Sequence, residues 1–399
     1  MALIQKSFSD LITFTRASGG GRFNELGVYE WLPANQPRFD FDPVTGEAKG
    51  LLIEEQRTNL LTYSRDFANG VWAKTNVSIT ANTAISPDGT VTASTLAPSA
   101  GTGVTGRVQR TFSSTTGQMY TFSIYAKQKE VRYVRVLSTG ATSSTVDAYF
   151  DLQTASSGYA NGVTTSVTKV AFGYVLCSIS IPATVTGTGT VYVQTVAAMG
   201  SPVITTDGTS GIYIWGAQLE AGSFPTSYIP TTTAQVTRAA DVASVNVLSP
   251  WFNASEGTLF VEASTFGNRP AWVYAQVWDG TTSNRIGIAR VQGTGVTAVV
   301  DTGGASQVAT VGSDSAQIRA ALAYRANDVS ISRNGAVPEV DASVALPANL
   351  TQLAIGRSSG AGTFLNGHIR SIRYYPRAYY GDDLQYLSTH GYLPWEIAA

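Results

Sequence analysis

An all-β chain of two antiparallel β-sandwiches, preceded by a short irregular segment, is the architecture this sequence predicts. Three observations predict it. Short alternating apolar runs recur about every ten residues, parted by turn pairs such as Asp88-Gly89, Thr116-Gly117, Asn161-Gly162 and Asp207-Gly208. No long helical period interrupts them before the C-terminal end. Charged residues make up 13% of the chain, about half the ~25% of soluble domains. Thr, Ser, Gly, Val and Tyr take their place, which suits sheets with uncharged, hydroxyl-bearing faces.

Residues 1–58 read as irregular. A short strand, Leu-Ile-Thr-Phe-Thr-Arg, covers 11–16, a Gly-Gly-Gly break follows at 19–21, and Pro33, Pro37 and Pro43 punctuate the rest. The segment carries too little continuous apolar pattern for its own core. It is expected to pack on a neighbour and to act as an N-terminal attachment segment. Residues 59–235 hold about eight alternating strands, which point to a sandwich of jelly-roll type. Its last strand is Ile-Tyr-Ile-Trp-Gly-Ala-Gln-Leu over 212–219, and the two prolines of the following stretch, Pro225 and Pro230, end it. A Thr-rich connector leads to a linker at 236–250. From 251 to 399 a second β-domain follows, with Asn334-Gly335 closing a hairpin. It ends in a short helix over 382–389 with acidic residues in its first turn and Gly391 just past its end.

At 399 residues, the chain suits two or three domains of roughly 100–200 residues each. Its net charge of −1 offers no basic surface to nucleic acid or anionic lipid. One cysteine, Cys177, allows no internal disulfide and reads as a small core residue. No window approaches the ~18 apolar residues of a membrane helix, so no membrane insertion is expected. The N-terminus shows no basic run followed by an apolar stretch, so no secretory leader is read there.

Two stretches carry a resemblance. The run Gly-Leu-Leu-Ile-Glu-Glu-Gln-Arg-Thr-Asn-Leu at 50–60, and Trp-Gly-Ala-Gln-Leu-Glu at 215–220 followed by Tyr-Ile-Pro-Thr at 228–231, are similar to segments of tailed-phage structural proteins. In those proteins they introduce and close a carbohydrate-binding-like jelly roll. The C-terminal pattern of Gly367, Ile369, Ile372, Tyr375, Arg377 and Ala378 resembles the concanavalin A-like lectin and laminin-G-like sandwich. The resemblance implies a virion protein of the tail-fibre, head-fibre, spike or capsid-decoration type, on the particle surface. It implies docking to other virion proteins through the N-terminal segment, contact with host-surface polysaccharide (host adhesion) and a homotrimer; no heptad repeat speaks for the trimer. A purely architectural virion protein without ligand is the alternative, and a polysaccharide depolymerase stands third.

Catalytic and metal motifs are sparse. Only His368 and His390 are present, neither in a nucleophile motif, and Gly-x-Ser-x-Gly does not occur. Two His and one Cys supply a zinc site poorly, so no metal or cofactor is expected. Retaining glycosidases need two carboxyl groups about 5–5.5 Å apart. The lectin-fold glucanases place theirs on one strand as a Glu-x-Asp-x-Glu type triplet. Here Glu262 stands alone, and the expectation is a chain that is not an enzyme. Gly-Thr-Gly-Val-Thr-Gly at 101–106 runs on into a strand, which excludes a dinucleotide loop. Aromatics remain. Simple alternation puts Trp272, Tyr274, Gln276 and Trp278 on one face and Val273, Ala275 and Val277 on the core face. With Asn284 and Arg285 they would suit a stacked sugar, and they are the candidate glycan-binding residues. The alternative is that the rings pack under loops, against another copy or inside the sandwich.

Overall fold

A computed structural model describes residues 7–266, 271–291, 295–311, 315–358 and 364–396. Its sheets are antiparallel throughout, and two sandwiches account for most of them.

The first sandwich pairs two six-stranded sheets. One runs, edge to edge, through Ser156–Asn161, Val146–Asp151, Tyr133–Thr139, Gly187–Val196, Arg107–Ser114 and Ala73–Thr75. The other runs through Thr164–Val170, Tyr174–Pro182, Met119–Gln128, Ile212–Ala221, Val91–Pro98 and Val77–Ile85. Alternation turns Val134, Val136, Val191 and Val193 of one sheet onto Phe122, Ile124, Ile179 and Ile214 of the other, and all eight are fully buried. Cys177 lies in this core, where burial pushes its thiol up and leaves it unreactive.

The second sandwich is not assembled from 251–399 alone. One seven-stranded sheet has the order Thr13–Thr15, Val242–Val245, Gln352–Ile355, Ala271–Trp278, Arg285–Val291, Gly295–Thr302, Ala305–Val311. The other has Glu339–Asp341, Asp328–Arg333, Gln317–Arg325, Glu256–Thr265, Gly367–Tyr375, Ala48–Ile53, Phe39–Phe41. Three N-terminal strands therefore belong to the C-terminal sheets. Leu51 pairs with Ile369 and Ile53 with Gly367, and both side chains enter the core beside Val261, Leu322 and Ile355. Burial of each is worth roughly 1.5–3 kcal/mol. This corrects the reading of 1–58 as an irregular attachment segment. Thr13–Thr15 pairs with Val242–Val245 and Ala48–Ile53 with Gly367–Tyr375, and Phe39–Phe41 extends the latter sheet at its edge.

The linker expected at 236–250 is also structured. Val236–Arg238 pairs with Arg57–Asn59, and Val242–Val245 sits between Thr13–Thr15 and Gln352–Ile355. The chain thus leaves the second sandwich after Ile53, builds the jelly roll, and returns along the strand it left by. Within Ala48–Ile53, Gly50 permits the close approach of Gly367–Tyr375: at φ 104° an added Cβ would lie 2.2 Å from the Ile369 carbonyl oxygen. The predicted C-terminal helix is present as Gly381–His390, with Gly391 left-handed at its C-cap. Leu384 and Leu387 seat it on Phe260, Ala321 and Ala323, outside the second sandwich.

Candidate functional site

The point where the chain enters and leaves the jelly roll is a buried ionic cluster. Arg16, Arg38, Arg238, Glu54 and Asp241 have no exposed side-chain surface. One Arg38 nitrogen, Nη1, donates to Glu54 Oε2 at 2.6 Å, to the Gly21 carbonyl and to Ser227 Oγ, while Nη2 donates to Asp241. Arg16 donates to Asp241 Oδ1 at 3.1 Å and to the Pro33 carbonyl at 2.8 Å. Glu54 also accepts from the amide and hydroxyl of Ser227. Burial alone would raise its pKa. The guanidinium groups of Arg238 and Arg38 and the Ser227 donors outweigh burial and bring the carboxyl down to about 2.

Beside this cluster the closing strand meets its own exit loop. Glu220 accepts from Gln218 Nε2, Thr226 N and Thr226 Oγ1, yet burial raises its pKa despite those bonds and Arg57. Asn59 accepts from the amides of Leu61 and Leu219 and donates to the carbonyls of Ala217 and Ile229. Trp215 packs with Tyr29, Tyr125 and Tyr228, its ring centroid 4.9 Å from that of Tyr228. From the stretches 50–60 and 215–231, Glu54, Asn59, Trp215, Gln218, Glu220 and Tyr228 are thus spent on this junction.

A cleft of about 430 Å³ opens beside the junction, between the two sandwiches. One wall is jelly-roll edge: Thr164, Thr165, Ser166 and Thr168, with Leu176 and Ser180. The other comes from the second sandwich and its N-terminal strands: Arg22, Phe23, Asp40, Lys49, Phe266 and His368. Exit-loop residues from Ser223 to Tyr228 form the floor with Glu54. Hydroxyls, the carboxylates of Asp40 and Glu54, the cations of Arg22 and Lys49 and several aromatic rings in a concave site can hold a polyhydroxylated ligand. Within the second wall, His368 Nε2 lies 2.8 Å from Asp40 Oδ2 and Nδ1 lies 3.3 Å from Ser264 Oγ. Asp40 Oδ1 is fixed by the Phe23 amide at 2.8 Å. Cross-strand register sets the contact, because Ser264 pairs directly with His368. No linear motif joins residues 104 and 328 positions apart, so only the sheet order reveals the trio.

The sequence-predicted glycan residues do not form a platform. A bulge between Val273 and Ala275 breaks the alternation. Trp272 and Tyr274 therefore turn into the sandwich core with Ala275 and Val277, while Val273 packs on the opposite side with Ala289 and Val299. Gln276 and Trp278 fall out of phase with Trp272 and Tyr274. Exposure is 4% for Trp272, 1% for Tyr274, 1% for Gln276 and 3% for Trp278, so no ring face is open to a sugar. Arg285 is held by Asp301 at 2.5 Å and reaches Gln276. Asn284 bonds Asp279 and the Gly303 amide as turn chemistry. Among the described residues, no group of three or more His, Cys, Asp or Glu side chains could hold a metal ion.

No protein-family model and no curated protein matches the chain. Among solved structures, it is similar to a Trypanosoma rangeli sialidase in complex with 2,3-difluorosialic acid, a covalent intermediate, at TM-score 0.31 and 10% identity over 80% of this chain and 62% of that one. The same sialidase with the inhibitor DANA gives TM-score 0.30 and 11% identity over 74% and 60%. Domains LG4-5 of the mouse laminin α1 chain give TM-score 0.25 and 10% identity over 69% and 89%. The chain spans about three fifths of the sialidase chains it matches. The expectation of a chain that is not an enzyme is withdrawn on this finding, since the similar structures include sialidases. That expectation rested on absent linear motifs, and catalytic groups assemble across strands without any. At these TM-scores the likeness carries no argument for sialidase chemistry or for any other activity.

Proposed function

We propose that the chain is a structural protein of a tailed-phage particle surface that contacts host saccharide in the cleft between its two sandwiches. The observation that carries the reading is the cleft itself, walled by Thr and Ser hydroxyls on one side and by Asp40, Phe23 and two cations on the other. The phage-like stretches at 50–60 and 215–231 support it, because their side chains build the junction beside that cleft. Low charge and hydroxyl-rich strand faces suit an element embedded in a larger assembly. Thr13–Thr15, Phe39–Phe41 and Ala48–Ile53 serve the sandwich as strands, so particle contacts made by this part fall to outer surfaces. Ser166→Trp, on an exposed position of the cleft wall, fills the cleft without touching either core. The expected result is loss of adsorption to host cells with an unchanged thermal transition. Undiminished adsorption by this variant, or no binding of the wild type to any host polysaccharide, contradicts the saccharide half and leaves the architectural reading.

A further inference from the structure

Ser264, His368 and Asp40 stand outside everything assigned above in one respect: their order is that of an activated hydroxyl. The Asp40 carboxylate accepts from His368 Nε2 at 2.8 Å, which places the ring proton on Nε2 and leaves the Nδ1 lone pair facing Ser264 Oγ at 3.3 Å. Phe266 packs edge-on against the imidazole at 5.1 Å and Asp40 is tethered by the Phe23 amide, so the ring is held from three sides. Ser264 is half-buried and opens away from the cleft, onto a second, polar hollow of about 490 Å³. On its other flank Ser264 is in register with Gln317, whose side chain is exposed on the same hollow. Arg319, two residues on, lines the same hollow, its guanidinium donating to Glu262 at 3.1 Å and to the Thr389 carbonyl at 3.0 Å with N–H groups to spare. A base thus lies on one side of the hydroxyl and amide and guanidinium donors on the other, the arrangement acyl transfer needs.

We propose that Ser264 is the nucleophile of a hydrolase site for small O-acyl esters of hydroxylated alcohols. Ser264 Oγ bonds to the acyl carbon as its proton passes to His368 Nδ1. Gln317 and Arg319 donate to the carbonyl oxygen as it gains charge. The ester C–O bond then breaks, and the leaving alkoxide takes the proton from the imidazolium. Water repeats the sequence on the acyl-serine, releasing the carboxylic acid and restoring Ser264. Asp40 acts as a positioning residue through His368. The hollow is lined mostly by polar groups, among them Glu262, Asn334 and Arg370, which selects a polar alcohol portion. Asp40 and His368 also line the cleft, while the reacting hydroxyl and its donors face the second hollow, so ester turnover is read separately from saccharide binding.

The test uses the full chain with p-nitrophenyl acetate and a fluorophosphonate probe, the labelled residue being mapped by peptide mass spectrometry. The wild type is expected to turn over the ester and to be labelled at Ser264. Ser264→Ala should abolish labelling and drop turnover to the uncatalysed background, because it removes the group that forms the acyl-enzyme, with an unchanged thermal transition. Asp40→Asn should lower kcat at unchanged KM. No label on Ser264, or wild-type turnover equal to that of Ser264→Ala, overturns the proposal. The Ser264→Ala comparison decides even if His368 variants fail to fold, since it removes one half-buried oxygen.

Discussion

The two sandwiches are alike in architecture and opposite in how the chain makes them. The jelly roll is contiguous: its twelve strands all fall between Ala73 and Ala221. The second sandwich takes strands from Thr13, Phe39 and Ala48 at one end of the chain and from Val242 onward at the other. A contiguous domain can form from its own neighbours, whereas a discontinuous one must first bring together distant segments and meet the loop-closure cost. The difference explains the junction. Where an inserted domain leaves and re-enters its host, the two crossings must stay together, and here a short ladder and a buried ion cluster hold them.

The largest expected effect breaks one sandwich and spares the other. Ile53→Asp puts an unpaired charge at a fully buried position of the second core, a change expected to exceed 5 kcal/mol on the order of a buried-ion penalty. Limited proteolysis should then leave a protected fragment near 59–235, while wild type resists throughout. Next comes Glu54→Gln, which leaves Asp241 as the shared counter-charge of Arg38 and Arg238 and should cost about 3–5 kcal/mol in urea unfolding at pH 7. Glu54 is held at about 2 in the folded chain against an ordinary 4.5, a difference worth about 3 kcal/mol. Its folded pKa is depressed, so this stability is present above pH 4.5 and fades as pH falls towards 2. The gap between wild type and Glu54→Gln should close over that window. Asn59→Ala leaves buried partners on both sides of the jelly-roll entry unbonded and should cost about 2–3 kcal/mol. Smallest is Glu220→Gln, expected within about 1 kcal/mol of wild type at pH 7. Its carboxyl is raised rather than lowered, so charge there opposes folding and any benefit of the amide should shrink in acid, the reverse of Glu54.

Strand placement was legible because alternation and Gly-containing turns are local signals: Asp88-Gly89 and Asn161-Gly162 lie at strand ends as read. The C-terminal helix was legible from its acidic first turn and Gly391. Two things were not. Bulges shift phase without a sequence mark, and both aromatic strands carry one. Gly216, at φ 60°, restores Ala217 and Leu219 to the face of Ile214, as the Val273–Ala275 bulge turns Tyr274 inward. Nor could the sequence pair Leu51 with Ile369, or place Asp40 on His368. Those contacts depend on sheet order, which alternation along one strand does not encode. The motif at 50–60 carries a family resemblance in sequence, and its physical content, a departure strand with Glu54 and Asn59 as anchors, lies in the junction.

Native-state hydrogen exchange on the full chain tests the insertion most directly. If Ala48–Ile53 is a strand of the second sandwich, its ladder amides are as protected as those of Gly367–Tyr375, and rising urea releases the two together. Fast exchange in 48–53 while 367–375 stays protected would contradict the account, because it would make the N-terminal segment an appendage rather than part of the sheet.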